Sequence, residues 1–232
     1  MVEVTPSSAG SAENPSIPSG PLDRSAEELL RNFQNCDGAA FERSLAEWAK
    51  LKDARLLPGL VELIKRLPLA RAHSVAQVVA TIGGEEARSR LLQALRESTD
   101  TDTRWAIVYG LTWLLDPASF ETFLTLVESS GEPSAIRIQA AEGAAYLAVQ
   151  APADSVIRQR ATQVFLQKIY DADDGLRLWS VRGLGMFGSR SVVEPLQRLA
   201  EELAREARGS QAEGELLEEV RDALATVQQL GN

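Results

Sequence analysis

Four arginines, Arg71, Arg104, Arg137 and Arg177, head four copies of one apolar pattern, and this periodicity restricts the fold more than anything else in the chain. Counted from each arginine, position +4 is Val75, Val108, Ala141 and Val181, and position +7 is Val78, Leu111, Ala144 and Leu184. Position +1 is Ala72, Trp105, Ile138 and Leu178, and position +11 is Ile82, Leu115, Ala148 and Gly188. On a helix that turns about 100° per residue these positions share one stripe, so each copy predicts a helix with one buried face. The copies lie 33, 33 and 40 residues apart. Self-similarity at that period predicts a stack of helical units, each too small to bury its own apolar face, instead of a single closed core.

Between these A helices run B helices with stripes of their own, such as Leu60, Leu63, Ile64 and Leu67, or Phe120, Phe123, Leu124 and Val127. A helices are expected near residues 39–51, 70–82, 101–115, 134–149, 176–187 and 214–230, and B helices near 56–67, 85–97, 117–128, 154–170 and 191–207. Each A helix is expected to pack on the B helix that follows it. Gly83-Gly84 suits a left-handed C-cap, and Pro117 suits the first turn of a helix, where its missing N–H costs nothing. Ser25 with Glu28 forms a capping-box pattern ahead of Leu29, Leu30 and Phe33. No alternating strand run bounded by turn residues occurs. The fold class read from the sequence is all-α, a right-handed α-solenoid of about five helix pairs with terminal capping helices.

Position +6 holds Gly110, Gly143 and Gly183. Glycine costs about 1 kcal/mol against alanine inside a helix, so three aligned copies predict close approach between stacked repeats. Near the C-terminus, Leu217, Val220, Leu224 and Val227 repeat the stripe beside many glutamates, the pattern of a cap that shields the last repeat from water.

The copies Arg104-Trp-Ala-Ile-Val-Tyr-Gly-Leu, Arg137-Ile-Gln-Ala-Ala-Glu-Gly-Ala and Arg177-Leu-Trp-Ser-Val-Arg-Gly-Leu resemble HEAT-like repeats, and most closely the short bacterial form also found in phycobilin lyases. The resemblance covers residues 39–230 and implies the solenoid fold. It does not imply one function, because members of the family bind very different things. In that family an acid and then an arginine open the first helix of each pair; here the acids are Asp102, Glu132 and Asp173 or Asp174. The arginine column has two readings. Stacked guanidinium groups could hold an anionic partner, or each could pair with an acid of its own or the adjacent repeat and tie loops together; the neighbouring acids and the family pattern favour the second.

Composition narrows the function classes. A formal net charge of −9 argues against a phosphate backbone as the main partner. Cys36 and His73 are each the single residue of their kind, which excludes a disulfide within the chain and the usual His and Cys zinc site. No cofactor or metal is expected, and no apolar run is long enough to span a bilayer. Residues 1–22, rich in Ser, Pro and Gly, cannot bury enough apolar surface to offset their ordering entropy and are expected to be a disordered tail; residues 23–232 read as one repeat domain. With no secretory signal pattern, the expected location is cytoplasmic.

Catalytic motifs are wanting. Gly183-Leu-Gly-Met-Phe-Gly188 matches GxGxxG only inside a helix, where it has no phosphate to cradle. Carboxylate pairs such as Glu85-Glu86 read as helix starts or solvated faces, and His73 as an exposed histidine on a convex helix. Departures from the repeat are the better guide. Trp179 stands where other copies place small or polar residues, and Tyr109, Glu142 and Arg182 at position +5 would line one edge across three repeats. These four are the candidate partner-binding residues. Trp48, Trp105 and Trp113 read as packed. Arg88, Arg90, Arg96, Glu121, Arg158 and Lys168 on the B helices are expected to form the inner surface. The leading expectation is a non-enzymatic scaffold or adaptor for a protein or peptide. The alternatives are a chromophore-handling protein of the phycobilin lyase type and, with less support from the acidic balance, a HEAT-like DNA glycosylase.

Overall fold

The computed structural model describes residues 33, 38–206 and 211–230. The tail, the boundary after residue 22 and the Ser25–Glu28 capping box lie outside them. Among the described residues the regular elements are helical: α1 Gly38–Leu51, α2 Leu57–Arg66, α3 Leu69–Ile82, α4 Gly84–Glu97, α5 Thr101–Leu114 and α6 Phe120–Glu128. The second half continues with α7 Ser134–Gln150, α8 Val156–Lys168, α9 Asp174–Phe187, α10 Val193–Glu206 and α11 Gln211–Leu230. Odd-numbered helices are the A helices of the repeat, and even-numbered ones the B helices.

Local chemistry sets the boundaries. Asp100 accepts the Thr103 N–H at 2.9 Å to start α5, and Asp173 accepts the Leu176 N–H at 3.0 Å to start α9, each satisfying a donor the helix leaves unpaired. Gly83 and Gly84 have φ of 74° and 82°, a conformation open to glycine and costly to other residues. Helix α6 begins later than expected, because Pro117–Ser119 forms a 3₁₀ turn capped by Asp116, which accepts the Ala118 N–H at 2.9 Å. Leu115 ends α5 in the left-handed region at φ 52°, a conformation that costs a leucine about 1–2 kcal/mol.

The helices form the two layers of an α-solenoid. Each A helix packs mainly on the B helix before it and on its A neighbours, and much less on the B helix after it. This corrects the expected partner: the tight unit is B followed by A. The A helices pack closely on one another through the whole stack, whereas successive B helices touch sparingly. In a curved two-layer array the close-packed layer is the inner one, so α3, α5, α7 and α9, and not the B helices, form the inner surface.

The core runs unbroken along the stack, from Phe33, Phe41 and Trp48 through Leu91, Phe123 and Phe165 to Val220 and Val227. The aligned glycines have the role their spacing predicts. A Cβ on Gly143 would fall 2.7 Å from the Phe123 ring and 2.8 Å from the Thr112 hydroxyl of the preceding repeat. Gly183 meets Phe165 the same way, and Gly110 faces Ala76 at 3.3 Å. Helix α11 closes the stack with Leu216, Leu217, Val220, Ala223 and Val227 buried, and Ala223 fits against Gly185 of α9.

Candidate interaction surface

The arginine column is spent on structure. Arg104 donates to the Leu95 and Ser98 carbonyls at 2.7 and 2.9 Å, at the end of α4, and pairs with Glu132 at the entrance to the next repeat. Arg137 repeats this with the Val127 carbonyl at 3.3 Å and Asp171 at 2.7 Å. Arg177 reaches the Ile169 carbonyl at 3.4 Å and Asp174 at 3.3 Å. Each guanidinium thus caps the preceding B helix, where the carbonyl ends attract a cation, and two of them cross-link to the following repeat. The Arg137 guanidinium, the Asp173 N–H and the Lys168 ammonium hold the Asp171 carboxyl down to about 2, against an opposing effect of burial. Arg71 departs from the series and lies 4.9 Å above the Phe41 ring.

Two of the B-helix cations expected on the inner surface are similarly engaged. Arg88 bridges both Asp116 oxygens at 3.1 Å, and Arg158 donates to the carbonyls of Ala148, Val149 and Ala151 at about 2.9–3.0 Å, closing the end of α7. A hollow of about 510 Å³ beside Arg158, Phe187 and the Ser189–Ser191 turn therefore presents a guanidinium already committed to backbone.

Aromatic side chains gather on the inner face instead. Trp105, Tyr109 and Trp113 lie four residues apart on α5, so they form one stripe. The Trp105 and Tyr109 rings stack at 5.4 Å and 17°, and Trp113 follows at 5.9 Å and 53°. His73 of α3 covers the other side, 3.9 Å from Tyr109 and 5.7 Å from Trp105. His73 is thus half-buried on the inner layer rather than exposed on a convex helix, and burial lowers its pKa. Tyr109 is buried, with 9% of its surface exposed, and its hydroxyl accepts the Gln77 amide N–H at 2.7 Å. It is a fixed platform and not the exposed edge that its column suggested.

Trp113 reverses its expectation in the other direction: 53% of it is exposed. Its neighbours along the stack, Tyr146 and Met186, are half-buried and exposed. Between α5 and α7, Trp113, Leu115, Tyr146 and Val149, with Thr112 and Gln150, line an open, mainly apolar groove of about 280 Å³. The left-handed Leu115 sits on this groove. Backbone held in sparsely populated conformations clusters at ligand-binding positions.

The other sequence candidates occupy the same face. Glu142 accepts from Gln139 and from the Tyr146 hydroxyl, both at 2.8 Å, which orients Tyr146 at the groove. Burial, and then donation to Glu142, raise the Tyr146 pKa. Arg182 forms a two-pronged pair with Glu219 of α11 at 3.1 and 2.7 Å and lies 5.2 Å over the half-buried Trp179 ring. Arg182 therefore ties the last repeat to its cap, with the Trp179 ring beneath its guanidinium, while Tyr109 and Glu142 support the groove from beneath. Trp48 is core as expected; Trp105 is half-buried in the ladder. The column Ala80, Trp113, Tyr146 and Met186 is apolar throughout and for that reason reads as packed, yet its last three members stand exposed or half-buried along the stack, because apolar character alone does not say whether a column is covered.

Among the described residues no group of His, Cys, Asp or Glu side chains is placed to hold a metal, and no helix is long and apolar enough to cross a membrane. Fold and surface together define the class: an α-solenoid of helical repeats with an aromatic groove on its inner layer. In a sequence comparison, residues 176–202 match the family described as PBS lyase HEAT-like repeat. Those residues span most of α9 and most of α10, and the match supports a HEAT-like repeat there. Comparison with curated proteins gave no match.

Proposed function

We propose that this protein is a non-enzymatic interaction scaffold that binds a protein or peptide segment by seating apolar side chains in the Trp113–Tyr146 groove. One observation carries the reading: a half-exposed tryptophan, backed by a stacked ring ladder, stands at the mouth of an apolar groove on the inner layer. Rigid, partly exposed aromatics beside a pocket are the usual anchors of protein interfaces. The groove volume of about 280 Å³ lies just below the ~300–1,000 Å³ that buries a drug-sized ligand, which favours one or two side chains of a longer segment over an enclosed chromophore. The Glu142 carboxylate and the Gln150 amide beside the groove supply polar partners for a bound backbone. With a net charge of −9, the chain disfavours nucleic acid as the occupant.

The test is selection from a displayed peptide library on the wild-type protein, with counter-selection on Trp113→Ala. The expected result is a set of apolar peptides whose affinity drops about tenfold or more, some 1.4 kcal/mol, on that substitution. Peptides that bind equally well to Trp113→Ala and Tyr146→Ala would place the interaction elsewhere and overturn the reading.

A further inference from the structure

The groove has a candidate occupant in the same chain, and the inference below rests on the binding role proposed for it. Pro15, Pro18 and Pro21 recur at every third position in Asn14-Pro-Ser-Ile-Pro-Ser-Gly-Pro-Leu22, a stretch without a charged residue in a chain of net charge −9. A segment with proline at every third position places its rings along one edge when it runs as a polyproline II helix, which has three residues per turn. Such edges dock in shallow grooves lined by aromatic side chains, because the stiff segment loses little entropy on binding and its rings pack on tryptophan and tyrosine faces. The Trp113–Tyr146 groove is of this kind: open, mainly apolar and bounded by an exposed indole and an oriented phenol.

Reach permits the contact. Phe33 is anchored on α1, 4.5 Å from the Trp48 ring. With Ser25–Phe33 helical, as the capping box predicts, and Pro21–Ser25 extended, the twelve residues from Phe33 back to Pro21 span about 26 Å. The groove lies two to three helix positions along the A layer, about 25 Å away at ordinary interaxial spacings. We infer that the Pro15–Leu22 segment of this chain docks in the Trp113–Tyr146 groove and competes there with external peptides.

The experiment uses the full chain labelled with fluorotryptophan, followed by fluorine NMR, with the Trp113 signal assigned by Trp113→Phe. The comparison is with the full-length P15A/P18A/P21A variant, in the presence of a soluble paramagnetic agent. The inference predicts relaxation of the Trp113 signal at least about twofold weaker in wild type than in the variant, because a covered indole meets less solvent. A synthetic peptide spanning residues 13–23, added to the variant, should restore the wild-type signal. Identical relaxation in wild type and variant would overturn the inference. So would protection that vanishes on dilution, which would assign the segment to a second copy. If the variant still binds the selected external peptides, the proposed scaffold role survives that failure; if no peptide binds either protein, that role fails separately.

Discussion

Alanine at Gly143 or Gly183 would press a methyl group into a phenylalanine ring of the B helix packed before it. Alanine is the better helix former by about 1 kcal/mol, but overpacking a close contact costs about 1–3 kcal/mol, so both substitutions are expected to destabilise. Gly214→Ala should have the opposite sign, since nothing lies within 4 Å of its missing Cβ on a helix of the cap. Urea midpoints of the three variants check the contrast, and Phe123→Leu should partly rescue Gly143→Ala. Asp171 supplies a pH test. Its carboxyl, held down to about 2 from an ordinary 3.8, binds fewer protons folded than unfolded. Its pairing therefore stabilises above about pH 4 and is lost as pH falls toward about 2, a contribution on the order of 2 kcal/mol. The stability gap between wild type and Asp171→Asn should shrink over that interval in acid denaturation series. For His73 the sign also follows from a lowered pKa: folding disfavours its protonated form, so its contribution falls as pH drops below its unfolded value.

At the scale of the helix, the pattern of apolar residues was enough to place nearly every element, because one buried face leaves a helical period that side-chain columns display directly. Boundaries differ where local chemistry intervenes, as at Pro117–Ser119, where Asp116 stabilises a 3₁₀ turn before α6. Packing partners were less legible. Stripe positions say that a face is buried but not against what, so the dominance of the preceding B helix over the following one emerged only in three dimensions. The same reason explains the site. Tyr109 and Glu142 were found as departures from a column, yet their roles as a stacked platform and an acceptor for Tyr146 depend on His73, Gln77 and Gln139 across the layer. Arg104→Ala tests the links between elements. It would leave the Leu95 and Ser98 carbonyls and the Glu132 carboxylate short of a donor, and should cost about 1–3 kcal/mol in chemical denaturation.

For the whole molecule, the two layers divide the labour. Glycines, arginine caps and buried stripes hold the stack together, and α11 seals its end. Because each unit contacts chiefly its neighbours, loss of one interface should loosen the adjacent repeats first. Ala223→Leu, which forces the cap away from Gly185, should therefore speed hydrogen exchange in α9 and α11 before α3 and α4. The inner layer is left to present a surface, and its aromatic groove lies apart from the arginine columns that draw the eye in the sequence. The most direct test of that division is the affinity of one selected peptide for Trp113→Ala, measured by titration calorimetry beside its urea midpoint. The account predicts a loss of about tenfold or more in affinity with a midpoint near that of wild type, since the indole is half-exposed. Wild-type affinity in Trp113→Ala would contradict it.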